Sequence, residues 1–345
     1  MTEKFCKYGT HRVIEPLGVL PQAALKIDND MNIRPNEVLI DVQSLNIDSA
    51  SFAQIRNAAR DNPDEIKKQI LEIVNRRGKM QNPVTGSGGM LIGKIAEIGQ
   101  ELSLADLRVG DKIATMVSLS LTPLKINEIK SIHMDIDRVD VDAKAILFET
   151  GIYAKLPGDM TEELALAALD VAGAPAQTAK LVKLGDRVLV LGGGGKSGML
   201  CCAEAMKRVG PTGRVVAICV LEEDKIKLEA NYLCHEAVLA DATKPLEVLA
   251  KSVAANGGNE YDISFNVVNV ANTEMASILP VRDDGIVYLF SMATSFTKAA
   301  LGAEGVGKDV TIIVGNGYTK GHSDITLTLL RENSKLRKIF EEKYV

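Results

Sequence analysis

The sequence predicts an α/β protein in two parts: a β-rich, irregular first portion, then a doubly wound parallel sheet. Three observations carry this. Before residue 150, short apolar runs with β-branched residues are set between turn signals. After Leu156-Pro157, near-continuous apolar strands alternate with helical patterns, the signature of a parallel sheet covered on both faces. Four consecutive glycines join one of these strands to a helix in "RVLVLGGGGKSGMLCCAEAM", which begins at Arg187.

In the first portion, "EVLIDVQSLNI" from Glu37 and "IGKIAEIG" from Ile92 read as strands. "DLRVGDKIATMV" from Asp106 turns at Gly110-Asp111 into another strand. Between them, Asp61 to Lys79 reads as a helix, because Ile66, Ile70, Ile73 and Val74 recur at helical spacing. The second portion opens with one long helical pattern, "DMTEELALAALDVAGAPAQTAKLV", where Asp159 and Glu162 are spaced as a capping box. The strands "RVLVL", "RVVAICV", "YDISFNVV", "GIVYLFS" and "DVTIIVG" follow, separated by helices.

The chain has 345 residues, 46% of them hydrophobic and 25% charged, as in an ordinary globular protein of two domains. A net charge of −5 gives no electrostatic reason to expect nucleic acid or an anionic membrane. No apolar core of signal-peptide length and no membrane-length apolar run is found, so a cytoplasmic enzyme is expected. The cysteines, Cys6, Cys201, Cys202, Cys219 and Cys234, are odd in number and contain no C-x-x-C pair. They read as free thiols rather than a disulfide framework or a zinc site.

The glycine run fits one of two loops. A triphosphate loop ending at Gly195-Lys196-Ser197 needs a glycine at position 190, where Val190 stands. A dinucleotide loop, G-x-G-x-x-G between strand and helix, is met by Gly193, Gly195 and Gly198, and a wider spacing by Gly192, Gly195 and Gly198. Such a loop brings backbone N–H groups and a helix N-terminus to a pyrophosphate. Gly192, Gly193, Gly194, Gly195, Lys196, Ser197 and Gly198 are therefore candidate cofactor residues. An acid for the ribose is expected about 20 residues past the loop, yet Cys219 stands there, so NAD and NADP are both open. Ligands of such sheets bind at the carboxyl ends of the strands. That adds Asn266, Val267, Val268, Ser291, Met292 and Asn316.

"NEVLIDVQSLNID", "GGMLIGKIAEIGQELSLADLRVGDKIA" and "LVKLGDRVLVLGGGGKSG" together resemble the medium-chain dehydrogenase/reductase superfamily. The resemblance runs from about Asn36 to about Leu330, with an odd section from Leu119 to Thr150. It implies a β-rich GroES-like catalytic domain plus a doubly wound parallel-sheet Rossmann domain. The first would span residues 1–155, completed by 320–345, and the second residues 156–319. It also implies a homodimer formed by sheet extension, with "DVTIIVG" as the edge strand. Where zinc members carry a cysteine ligand this chain has Asp48, and where they carry His-Glu it has Gly89-Met90. No metal is expected. The "LGGGGKSG" loop and "FNVVNVANTEMASILP" resemble a branch that deaminates diamino acids in anaerobic lysine fermentation. This implies a small diamino acid substrate, oxidation at an amine-bearing carbon and release of ammonia. A zinc-free NADPH-dependent quinone or enone reductase and a non-catalytic dinucleotide-binding protein are the competing readings.

Amine oxidation needs a base to take a proton from the ammonium. Asp48 is the first candidate, although it would equally cap a turn. Asp170 interrupts an apolar helix and faces either a cleft or solvent. Glu149 and His322 are further candidates. Arg56 and Arg60 are available for the substrate carboxylate.

Overall fold

The computed structural model describes residues 5–102, 106–116, 118–291, 293–315 and 317–345. Met292 and Asn316, expected near the cofactor, lie outside the described residues. The chain divides into two compact units, Met1–Gly158 and Asp159–Val345, close to the expected boundary.

The first unit begins with β1 (Val13–Glu15) and β2 (Lys26–Ile27), a small antiparallel ribbon. Then come β3 (Glu37–Ile47), helices α1 (Ser49–Ala59) and α2 (Pro63–Arg77), and strands β4 (Gly89–Ile98), β5 (Lys112–Thr115), β6 (Leu124–His133), β7 (Arg138–Phe148) and β8 (Tyr153–Lys155). β3 to β8 form one antiparallel sheet in the order β6-β7-β3-β4-β5-β8. β3 sits inside it, burying Val38, Ile40, Val42, Leu45 and Ile47 while Asp41 and Gln43 face out. The change of register between Val42 and Ser44 is an irregularity in the ladder to β4, which lets two successive residues, Ser44 and Leu45, both be buried.

α2 is the helix that the spacing predicts. Asn62 caps it by accepting from the Asp64 and Glu65 amides, Pro63 opens it, and Gly78 ends it at φ +73°. Ile66, Ile70 and Val74 are fully buried, each contributing roughly 1.5–3 kcal/mol. The odd section from Leu119 to Thr150 is mainly the long β6–β7 hairpin, with β7 also paired to β3.

In the second unit, α3 (Glu162–Leu169) and α4 (Gly173–Leu181) precede β9 (Arg187–Leu191), α5 (Lys196–Val209), β10 (Arg214–Cys219), α6 (Glu222–Ala230) and β11 (Glu236–Leu239). The chain continues through α7 (Pro245–Ala255), β12 (Tyr261–Asn266), α8 (Glu274–Ile278), β13 (Val281–Leu289), α9 (Phe296–Val306) and β14 (Val310–Val314). It ends in α10 (His322–Glu332) and α11 (Ser334–Tyr344). The six strands are parallel in the order β11-β10-β9-β12-β13-β14. The chain starts in the middle and winds outward both ways, so β9 and β12 flank the point where strand order reverses.

Two expectations are corrected here. The long pattern after Pro157 is two helices, α3 and α4, separated at Asp170–Ala172, and the cap of α3 is Thr161, which accepts from the Leu164 amide. Asp159 is instead bonded to Arg331 of α10 at 2.7 and 3.0 Å. Residues 320–345, expected to complete the first domain, belong to the second unit. There α10 and α11 pack on α3 and α5, and α10 also on α4, burying Leu327, Leu330, Leu336 and Phe340.

Candidate functional site

The glycine loop is tight because each glycine meets a different demand. The Gly192 and Gly193 amides both donate to the Ile218 carbonyl near the end of β10, at 3.0 and 2.9 Å. Gly192 turns at φ +87°, in the region that favours glycine. A Cβ on Gly198 would run into the Gly192 carbonyl, so loop and helix approach as closely as backbone allows. A Cβ on Gly193 would press on Ala217, and one on Gly194 would meet the Asp224 carboxyl group. Gly195 differs, because its Cβ would have only the Gly192 carbonyl nearby, at 3.6 Å.

Gly195 is the N-cap of α5 and supplies no side-chain bond to it. The Met199 amide is the first to find its helical partner, the Gly195 carbonyl. The Lys196, Ser197 and Gly198 amides therefore lack intrahelical acceptors, at the positive end of the helix dipole. Open space at Gly195 in front of free amides fits a pyrophosphate. Beside it is a cavity of about 180 Å³, lined among others by Gly192, Gly195, Cys219, Asp224, Val268 and Thr273.

Several predicted residues converge on this loop. Cys219 is buried at the end of β10, and burial pushes its thiol up to about 12, with Asp224 adding to the effect. The thiol therefore stays protonated near pH 7. Val268 packs on Gly192, and the Val267 amide joins β12 to the Leu191 carbonyl at 3.2 Å. Lys196 Nζ donates to Asp170 Oδ2 at 2.6 Å. Asp170, expected to face a cleft or solvent, thus reaches the first residue of α5 from the end of α3. Asn266 is buried and spends its amide on Thr273 and its carbonyl on the Val268 amide. Ser291 bonds Asn269 and the Ala293 amide. His322 is buried at the start of α10, edge-on to Tyr318, and burial lowers its pKa. His235 is structural, with Nδ1 accepting from the Val215 amide at 2.9 Å.

In the first unit, Asp48 is the N-cap of α1, accepting from the Ser51 amide at 3.1 Å. Its other oxygen accepts from Ser87 Oγ at 2.6 Å, and Ser51, Thr85 and Ser87 share hydroxyl hydrogen bonds. Nothing in the sequence marks this hydroxyl cluster, because the string "TGSGG" carries no recognised spacing. Glu149 lies at the far end of the same sheet. It follows Phe148, which pairs with Glu37 at the start of β3, whereas Asp48 follows the last residue of β3. Eleven residues of strand separate them by roughly 30 Å. Both cannot touch one small substrate, which corrects their joint listing as catalytic candidates. Glu149 instead accepts from Asn36 Nδ2 at 3.4 Å. Arg56 is engaged with Asp61 at 2.8 Å.

The comparisons with known proteins bear on both units. Residues 11–157 match the model of the L-erythro-3,5-diaminohexanoate dehydrogenase N-terminal domain. The curated L-erythro-3,5-diaminohexanoate dehydrogenase of Acetoanaerobium sticklandii is 68% identical, across 99% of this chain and 100% of its own length. The chain belongs to the L-erythro-3,5-diaminohexanoate dehydrogenase family. A relative of the same name from Fusobacterium nucleatum subsp. nucleatum is 62% identical, over 99% of this chain and 100% of that protein. Among solved structures, CurK enoyl reductase matches with a TM-score of 0.53 at 16% identity, covering 93% of this chain and 84% of that one. That likeness shows the fold, an antiparallel sheet unit followed by a parallel one.

For this dehydrogenase family member, the positions aligned with zinc ligands have structural duties. Gly89 opens β4 opposite Ile47 at φ +109°, and a Cβ there would strike the Asn46 carbonyl. No side chain, histidine included, enters at Gly89 without moving β3 or β4. Among the described residues, no group of three His, Cys, Asp or Glu side chains is placed to hold a metal ion. Among them too, no helix is long and apolar enough to cross a membrane.

Proposed function

We propose that this chain is a cytoplasmic, zinc-free dehydrogenase that oxidatively deaminates L-erythro-3,5-diaminohexanoate to 5-amino-3-oxohexanoate and ammonia. The single observation that carries the reading is the full-length match at 68% identity to a dehydrogenase of that name. The quinone or enone reductase reading is supported only by fold likeness at 16% identity, which does not reach chemistry. The glycine loop would hold the cofactor, NAD or NADP, through the amides of Lys196, Ser197 and Gly198 at the open face of Gly195. When bound, the nicotinamide supplies the two-electron acceptor for the amine-bearing carbon.

Asp48 is the proposed base. It would take a proton from the substrate ammonium, freeing the amine lone pair, and later pass protons as water adds to the imine and ammonia leaves. The Ser87 hydroxyl and the Ser51 amide fix the orientation of its carboxylate. Lack of a side chain at Gly89 supports the zinc-free reading, since a ligand there has no room.

The test is turnover by chelator-treated protein with 3,5-diaminohexanoate and either NAD or NADP, followed as reduced nicotinamide and released ammonia. Production of both without added metal is expected. Reduction that requires added zinc would remove the metal-free part. No reduction with either cofactor, alongside NADPH consumption with a quinone or enone, would overturn the substrate.

A further inference from the structure

The end of β10 lacks the acid that dinucleotide folds place there for the adenosine ribose, and Cys219 cannot replace it. Its thiol is buried under the loop and neutral. A carboxylate nevertheless reaches the same cavity from the next element. Asp224, in the first turn of α6, lines the cavity with Cys219, Gly194 and Gly195. It packs so closely on Gly194 that a Cβ at that glycine would collide with its carboxyl group. Its side chain is only 13% exposed.

What holds Asp224 there comes from the far end of the chain. Lys343, in the last turn of α11, has its Nζ at 3.9 Å from Asp224 Oδ1 and donates to the Gly194 carbonyl at 3.4 Å. Tyr344 follows it, with Lys196 and Lys343 each 5.7 Å from its ring centroid. The Tyr344 ring leans on Phe340, a fully buried anchor of α11, at 5.1 Å between centroids. The last turn of α11 is thus fastened to the glycine loop by an ion pair, a hydrogen bond and ring contacts.

We propose that Asp224 is the displaced ribose acid of the dinucleotide site, accepting from the adenosine ribose hydroxyls, and that Lys343 of the C-terminal helix is the positioning residue that aims it. A hydroxyl can donate to this carboxylate, whereas a 2′-phosphate would be repelled by Asp224, the one acid of the first turn of α6 that lines the cavity among the described residues. Lys343 offsets part of the charge of Asp224 without being able to accept from ribose. The inference rests on the dinucleotide reading of the loop and adds its specificity determinant.

The experiment measures binding rather than turnover. Wild-type protein, Asp224→Asn, Lys343→Met and Lys343→Arg are titrated with NADH and with NADPH by quenching of nicotinamide fluorescence. Wild type should prefer NADH. Asp224→Asn should lose about tenfold or more of NADH affinity, the size expected for a charged acceptor, and narrow the NADH-to-NADPH ratio. Lys343→Met should lower NADH affinity because Asp224 loses its support, yet should not improve NADPH binding because a cation is lost with it. Lys343→Arg should keep NADH affinity near wild type, and unchanged NADH affinity in Lys343→Met would remove Lys343 as the positioning residue. Lys343 is 40% exposed and its variants are expected to fold; ADP-ribose against its 2′-phosphorylated form on the wild type gives the same comparison without any variant. An unchanged ratio in Asp224→Asn, or tighter wild-type binding of the phosphorylated ligand, would overturn the proposal. Failure of wild type to bind either dinucleotide would sink the cofactor reading itself, a separate outcome from loss of the ribose assignment.

Discussion

Gly195 and Gly198 are three residues apart and answer opposite demands. A side chain at Gly198 meets the Gly192 carbonyl and must push loop and helix apart, whereas a side chain at Gly195 enters open space. Gly195→Val should therefore fold, at a stability loss of about 1 kcal/mol or less, since valine caps helices poorly. It should lower dinucleotide affinity about a hundredfold by filling the space before the α5 amides. Gly198→Val should lose stability first. Thermal melting read beside nucleotide titration separates the two, and normal affinity in folded Gly195→Val would end the loop assignment. Asp48 carries a second residue-scale contrast. Asparagine caps helices as well as aspartate, so Asp48→Asn should keep α1 and dinucleotide binding while amine turnover falls well over tenfold if Asp48 is the base. Turnover close to wild type would leave it a helix cap and nothing more. Position 48 was legible as a candidate through the resemblance, which puts it where zinc members carry a cysteine ligand. The Ser51, Thr85 and Ser87 hydroxyls around it were not, because the loop that carries them reaches Asp48 only through tertiary structure.

At the scale of elements, legibility followed the strength of the local signal. α2 could be read because four apolar residues recur at helical spacing between a capping asparagine and a terminal glycine. β6 could not, because as an edge strand it buries only Leu124 and Ile129 and shows little alternation. α1 was missed since its start signal, Asp48 before Ser49, also reads as a turn. The split between α3 and α4 was hidden within a continuously helical composition. One element junction has a measurable electrostatic consequence. The fully buried Glu37 at the start of β3 receives Arg12 through two bonds of 2.6 Å, together with His11 and the Arg34 amide. Burial alone would raise its pKa, but these donors outweigh it and hold the carboxyl near about 2, against an ordinary 4.5. A depressed folded pKa means stability that is fully present above pH 4.5 and is lost as pH falls toward 2. Glu37→Gln takes from the buried Arg12 its two short carboxylate bonds and leaves it, as counter-charge, only the more distant Asp28, at 3.6 Å, so it should cost about 3 kcal/mol at pH 7. The gap to wild type should shrink between pH 4.5 and 2.5, where protonation of Glu37 in the unfolded chain removes most of the advantage of the ionised pair. Denaturant midpoints at the two ends of that range decide it; a gap of constant size would remove Glu37 as the source.

For the molecule as a whole, the two-part division was visible because the hydrophobic pattern changes from isolated short runs to strands alternating with helices. The destination of the C-terminal segment was not. The apolar faces of α10 and α11 say that each must be covered, and only the packing says by what: α3 and α5, with α4 against α10. Assembly is the remaining level, and β14 is where it can be tested. β14 ends the parallel sheet, and Val314 on it is 61% exposed. The Gly315 amide donates inward to Leu289 of β13. Amides two residues apart point the same way along a strand. Those of Thr311 and Ile313 therefore face β13, while those of Val310, Ile312 and Val314 face away from it. A second copy of the chain extending the sheet would use this outward set. Val314→Pro removes an outward donor and a largely exposed side chain but none of the inward bonds. It should leave melting temperature and dinucleotide binding near wild type. In a two-fold ladder it removes the donor from both copies, so the dimer dissociation constant should rise about tenfold or more. Light scattering across a dilution series reads this directly. Wild type that is monomeric throughout would discard the homodimer, and a Val314→Pro protein that dimerises as tightly as wild type would move the interface off β14.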